Sequence, residues 1–419
     1  MQVISLKNYF FEKILIILIP FSAIFSIFLL DFLLVLVSIS FIIRSIKSRE
    51  YFYYLNKFFI IFLLFYFYII LRYFFRDHEY ESFNSVFFYF RYGLYAISIN
   101  YFLIKIDNLE KSFLRSVLLA ILLLITDGLI QFAFGKNIIG YETIDGNRLS
   151  SFFGDESILG SYLLKFLPFL YLIIIKNIDN KKIFLFLFIL IALCDLIIFL
   201  SGERSSFILS IFLTVYFIIM LKNFRIIRIF LFSLTTLIII FIYFNSDNMS
   251  KRYSKTVTEL IKSENHTNNL ILDKSLINTK FYIISPTHHN YFLTALNMYK
   301  DNKFFGQGPK SFRYLCDDRR FKINKYSCST HPHNYYIQIL AELGLIGFIF
   351  LMIFYLYICY KILIIIVSKE IKNNSYMICI LSFFLINLWP LTSTGNFFNN
   401  WISILIYLPF SFFLISPKK

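Results

Sequence analysis

The chain has 419 residues, of which 58% are hydrophobic and 16% charged, with a formal net charge of +16. That much apolar surface excludes a soluble globular domain, whereas a bilayer absorbs it in spans of about 20 mostly apolar residues. The chain reads as an all-α, polytopic integral membrane protein, and nothing in it points to nucleic acid.

In chain order, the first apolar run from Ile14 to Ile43 lacks a small-residue cleavage site, so it reads as retained spans and not as a signal peptide. At about 1.5 Å rise per residue it is too long for one crossing and fits two short helices joined near Asp31. Further spans are expected at 57–75, 84–104, 112–134, 157–175, 182–200, 204–221, 225–245, 335–360, 376–393 and 398–416, roughly twelve in all.

Alternate short connections are basic: Arg44, Lys47 and Arg49; Lys105, Lys111 and Arg115; Lys176, Lys181 and Lys182; Lys222, Arg225 and Arg228; Lys369 and Lys372; Lys418 and Lys419. The positive-inside rule then puts both termini in the cytoplasm and the long connection on the outer side, which in a bacterium with an outer membrane is the periplasm. Residues 1–245 carry nine spans, 246–334 form one large periplasmic loop before the third-last helix, and 335–419 carry the last three spans. The excess of Lys and Arg in that loop suits an anionic partner such as pyrophosphate or an acidic glycan, or attraction to lipid headgroups.

Among 55 Phe and 30 Tyr, most rings serve lipid contact and helix packing. Cys194, Cys359 and Cys379 lie in apolar spans and act as small hydrophobes. Cys316 and Cys328 lie in the outward loop, where a disulfide is expected; it would contribute about 3 kcal/mol in the chain-entropy model. A zinc site built from these cysteines with His331 and His333 is disfavoured, because structural sites pair cysteines only two to four residues apart.

Cys328 to Gly344, CSTHPHNYYIQILAELG, runs from a polar loop carrying His331 and His333 into an apolar helix. Asn334, Gln338 and Glu342 recur every four residues and share one stripe of that helix. An ionisable group near hydrocarbon needs a cavity or a partner, so the stripe is a candidate site, or else a hydrogen-bonding seam between helices. Arg204, in SGERSSF, is the second outlier. It can snorkel to the interface, pair with Glu203, or clamp a phosphate beside the free amides of a helix start. GQGPKSF at Gly306 to Phe312 reads as a tight turn that presents Lys310 and Arg313; its glycine spacing is not that of a Walker loop.

Taken in order, SGERSSF, GQGPKSF and HNYYIQILAELGLIG resemble the motifs of the bacterial O-antigen ligase and O-antigen polymerase superfamily. QFAFGKNIIGYE from Gln131, RLSSFFGDESILGSYL from Arg148 and GNFFNNW from Gly395 are similar to members of the same group. The resemblance implies a periplasm-facing, inverting glycosyltransferase that takes a glycan from undecaprenyl pyrophosphate, with no required cofactor or metal. A ligase would join the glycan to lipid A core, and a polymerase to another growing chain. It also implies that Arg204 clamps phosphate and that His333 accepts the acceptor proton, with His331 as the near competitor.

Many members carry a loop arginine where this chain has His288 and His289 in PTHHNYF, so the second clamp is sought among these histidines, Lys310, Arg313 and Arg148. A reading of another class is a transporter or flippase of lipid-linked or anionic substrates. Such a protein more often has broken, charged helices in two similar halves, and no half-to-half similarity is visible here.

Overall fold

A computed structural model describes residues 9–76, 82–145, 148–177, 179–261, 285–368 and 374–415. Among these residues the protein is all-helical. Twelve apolar helices occupy the twelve expected positions: α1 Phe10–Phe25, α2 Ile27–Ser48, α3 Lys57–Phe74, α5 Phe90–Lys105, α6 Leu109–Phe134, α7 Leu159–Lys176, α8 Lys181–Leu200, α9 Arg204–Met220, α10 Arg225–Asn245, α14 Tyr335–Val367, α15 Ser375–Asn387 and α16 Asn400–Phe413. Four further helices are extramembrane or short: α4 Phe83–Phe87, α11 Asp247–Ile261, α12 Pro286–Asp301 and α13 Phe312–Leu315. Seven helices, α2, α3, α6, α7, α8, α10 and α14, are each long and apolar enough to cross a bilayer alone. The protein is a polytopic membrane protein.

Side-chain amides and hydroxyls start several of these helices. Asn56, Asn180, Asn334 and Asn399 each accept a backbone N–H of the first turn of α3, α8, α14 and α16, which satisfies amides that have no intrahelical partner. The same chemistry corrects the first hairpin. The break falls at Ser26, whose hydroxyl accepts from the Leu29 amide at 3.2 Å, and not near Asp31. Asp31 is instead inside α2 and pairs with Arg91 of α5 at 3.2 Å.

Helices α5, α7, α15 and α16 form the centre, and nearly every side chain from Tyr92 to Phe102 of α5 is buried. Close approach there depends on Gly93, because a Cβ at that position would run into the Phe62 ring of α3. Peripheral α10 exposes Ile226, Phe230, Leu237, Phe241 and Phe244 as a face for lipid. Arg228, counted above among connecting charges, lies inside this helix and is 1% exposed; its guanidinium pairs with Asp195 of α8 at 2.7 Å. A buried charge is tolerable in such a place only with a partner.

Helix α14 has 33 residues, about 50 Å of helix, far more than a crossing needs. It is broken at Gly344, with φ 65° and ψ −165°, a region that essentially only glycine enters. The GQG turn docks into the break. The amides of Gln307 and Gly308 donate to the carbonyls of Ala341 and Glu342 at 3.0 and 2.8 Å, and the Leu345 amide donates to Lys303 at 2.8 Å. Arg72 of α3 donates to the carbonyls of Phe305 and Gly306, both at 2.8 Å. The interrupted helix therefore leaves few groups unpaired.

A Cβ at Gly344 would strike the backbone of Phe304 and Gly306. Gly344→Ala is expected to lower the melting temperature of the purified protein by several degrees, since the dihedral alone costs about 1–3 kcal/mol. An unchanged melting curve would show that the break is not required.

Candidate functional site

A small second core formed by Ala295, Met298, Phe312, Leu315, Cys316, Phe321 and Ala341 ties α12 and α13 to the first turns of α14. The Cys316–Cys328 disulfide, with Cα atoms 5.1 Å apart, fastens the end of α13 to the start of the histidine loop. These tethers place the loop over a cavity of about 1310 Å³, bounded also by the starts of α7 and α9, by α11, and by the segment between α15 and α16.

The cavity is amphiphilic. Its wall carries the cations Lys165, Arg204, Arg252, Lys310 and Arg313 against the acids Glu156 and Glu203. Ile27, Ile208 and Leu391 also line it while remaining 51%, 58% and 76% exposed, so apolar side chains form part of its open edge. An anionic group attached to a lipid tail fits this division of polar and apolar surface.

Arg204 begins α9 and does not pair with Glu203. The Glu203 carboxylate turns to the start of α7, accepting from the amides of Gly160 and Ser161 at 2.5 and 3.0 Å and from the Ser161 hydroxyl at 2.5 Å. An internal carboxylate thus occupies the positive end of α7, and burial, partly offset by these bonds, raises its pKa. Arg204 is left with no hydrogen bond or ion pair among the described residues, and its Nε is buried without a partner. Behind it, Arg148 and Arg252 donate to the carbonyls of Ser201 and Gly202 at 3.1 and 2.8 Å. Burial, Arg148 and Arg204 all lower the pKa of Arg252, which marks a crowded cationic wall.

His333 immediately precedes Asn334, the N-cap of α14, and has φ 59°, a left-handed conformation uncommon outside glycine. The Thr394 amide holds its carbonyl at 2.8 Å. Its ring lies 4.0 Å from that of His331, 5.1 Å from that of His288 and 5.6 Å from that of Tyr291, centroid to centroid. The two loop histidines differ in availability. His331 Nε2 faces the Thr394 carbonyl at 3.2 Å and must donate to it, so its Nδ1 accepts from the Thr330 hydroxyl at 2.9 Å. Both nitrogens of His331 are committed. His333 Nε2 meets only the Ser329 hydroxyl at 3.1 Å, and its Nδ1 makes no hydrogen bond among the described residues. Burial first, then His331 and His288, lower the His333 pKa to about 3. Burial, Arg313 and His288 lower that of His331 to about 4, against the pull of the Thr394 carbonyl. Both rings are neutral near pH 7.

His288 lines the cavity with Nδ1 2.6 Å from the Ser285 hydroxyl, and burial and Arg204 lower its pKa. A neutral imidazole is a poor substitute for a guanidinium on phosphate. Lys310 and Arg313 lie on the wall beside it. Lys310 has φ 62°, and its ammonium donates to Ser85 of α4 at 2.6 Å.

Five residues expected to bind substrate lie off the cavity wall. Arg148 and His289 sit behind it. Asn334, Gln338 and Glu342 are buried, and their polar atoms hold loops. Asn334 donates to the carbonyls of Pro390 and Thr392 at 2.8 and 3.2 Å. Gln338 bridges Glu342 and Asn396 at 3.1 and 3.0 Å. Glu342 accepts the amides of Lys310 and Phe312 at 3.0 and 3.2 Å. The stripe on α14 is the frame under the histidine and GQG loops.

Residues 184–352 match the family model described as O-antigen ligase. This match supports the O-antigen ligase and polymerase superfamily for that segment. No curated protein matches it. The O-antigen ligase match runs from α8 into α14 and contains Arg204, Arg252, His288, Lys310, Arg313, His331 and His333. Lys165 and the α15–α16 segment, which complete the cavity, lie outside it.

Sequence reasoning missed Lys165 and Arg252. Lys165 had a local signal, a lysine inside the apolar run LGSYLLKFLPFLYL, and an ionisable residue in a span is functional by default. Its ammonium lies 5.9 Å from the Trp401 ring centroid and makes no ion pair among the described residues. Arg252 had no signal, being one basic residue in a basic loop.

Proposed function

We propose that this protein is an O-antigen ligase-like, inverting glycosyltransferase that moves a glycan from undecaprenyl pyrophosphate to lipid A core at the periplasmic face of the bacterial inner membrane, with both termini cytoplasmic. The observation that carries the reading is Arg204, a guanidinium with no partner among the described residues, on the cationic wall of an amphiphilic cavity that also holds the open imidazole of His333.

In this mechanism the lipid tail lies along the apolar part of the open edge, and Arg204, aided by Lys165, Lys310 and Arg313, neutralises the pyrophosphate. The acceptor hydroxyl attacks the anomeric carbon from the face opposite the phosphate. The new carbon–oxygen bond forms as the bond to the phosphate oxygen breaks, undecaprenyl pyrophosphate departs, and the acceptor proton passes to Nδ1 of neutral His333. Pyrophosphate leaves readily, so the protein's main work is orientation, charge neutralisation and removal of one proton.

Purified protein supplied with an undecaprenyl-pyrophosphate glycan, and separately with lipid A core or a glycan acceptor, tests this assignment. Product on lipid A core supports the ligase reading. Longer lipid-linked chains alone would replace it with a polymerase.

A further inference from the structure

Three side-chain atoms on the cavity wall are buried and make no hydrogen bond among the described residues: Arg204 Nε, Asn387 Oδ1 and Thr392 Oγ1. The first suits an anion. The Asn387 oxygen does not. Asn387 is 7% exposed and spends its amide N–H on the Phe383 carbonyl at 2.8 Å, so the oxygen left over is an acceptor that would repel phosphate. Thr392 is 6% exposed, and its hydroxyl can both donate and accept. Buried polar groups without partners are rare and costly, and here both line a cavity. A neutral group bearing O–H or N–H is a chemical match for either atom.

The segment carrying these residues is anchored at both ends of the site. The Ser393 hydroxyl meets that of Ser205, next to Arg204, at 2.5 Å. One residue later, Thr394 donates its amide to the His333 carbonyl at 2.8 Å, and its own carbonyl faces His331 at 3.2 Å. The segment therefore spans from the start of α9 to the histidine loop. In a displacement at the anomeric carbon, the transferred sugar lies between the departing phosphate and the acceptor oxygen.

We propose that Asn387 and Thr392 form a subsite for the sugar bonded directly to the donor pyrophosphate, recognising its neutral hydroxyl or acetamido groups. The subsite rests on the transferase reading and lies outside the segment matched by the family model.

The test compares affinities of the full-length protein in detergent for farnesyl pyrophosphate and for farnesyl-pyrophosphoryl glucose, galactose, N-acetylglucosamine and N-acetylgalactosamine. The wild type is expected to bind at least one sugar-bearing probe about tenfold more tightly than the bare pyrophosphate. Asn387→Ala and Thr392→Val are expected to remove that preference while binding the bare probe within about twofold, which also reports that they fold. Thr392→Ser keeps the hydroxyl and keeps the preference. Arg204→Ala weakens all probes alike. A wild type without preference, or a preference intact in both Asn387→Ala and Thr392→Val, overturns the subsite. Failure of the transferase reading is distinguishable: the sugar preference would persist and depend on Asn387 and Thr392, yet no acceptor would receive glycan.

Discussion

Arg204→Lys lowers glycan transfer by about 10²-fold and Arg204→Ala by about 10³-fold, with normal amounts of folded protein in the membrane. The loss is large because Arg204 is free to act. Its neighbour Glu203 is consumed by the start of α7, and no described side chain competes for the guanidinium. It is selective because no hydrogen bond among the described residues depends on the Arg204 side chain. Lysine rescues little, since one ammonium cannot reproduce the planar fork that grips two phosphate oxygens. Charge grows on the leaving oxygen as the bond breaks, so kcat and kcat/KM should fall together. A rise in KM with kcat unchanged would reduce Arg204 to a ground-state contact.

His333→Ala lowers kcat by about 10²- to 10⁴-fold, the usual range for a lost general base. The pH profile carries more information than the loss itself. A base works when neutral, and in the free protein burial and two neighbouring imidazoles hold the His333 pKa near 3. The acid limb of kcat/KM therefore lies well below the ordinary imidazole value of about 6.5, and activity persists into acid. Bound pyrophosphate favours the imidazolium, so the limb of kcat lies higher than that of kcat/KM. Initial rates across about pH 4 to 8 separate the two. A limb in kcat/KM at the ordinary imidazole value, or full activity in His333→Ala, would remove His333 from the chemistry.

Much of the fold was legible because a bilayer imposes one rule on every span, and twelve apolar stretches obey it. What was not legible depends on partners distant in sequence. The hairpin break was expected at the charged residue Asp31, but Arg91, 60 positions away, makes that charge tolerable inside α2, and the cap chemistry of Ser26 decides the break. Arg228 was taken as a loop charge because Asp195, its partner, lies in another helix.

At the site, the motifs at Arg204, Lys310 and His333 do gather around one cavity. The stripe Asn334, Gln338 and Glu342 reads from sequence as either a binding surface or a hydrogen-bonding seam, because periodicity shows only that polar groups share a face. Whether that face meets a cavity or a loop depends on the GQG turn, whose docking at Gly344 is a tertiary event. Asn387 and Thr392 carry no motif at all. Their significance is that Asn387 Oδ1 and Thr392 Oγ1 have no partner among the described residues, which no sequence displays.

The most direct test of the central claim follows one synthetic undecaprenyl-pyrophosphate glycan through purified protein in the presence of acceptor, measuring released undecaprenyl pyrophosphate and the anomeric configuration of the product. One undecaprenyl pyrophosphate is expected per glycan transferred, with inversion at the anomeric carbon, and release by Arg204→Ala is expected to be about 10³-fold slower. Donor that stays intact, or that only crosses the bilayer of a reconstituted vesicle, would contradict it.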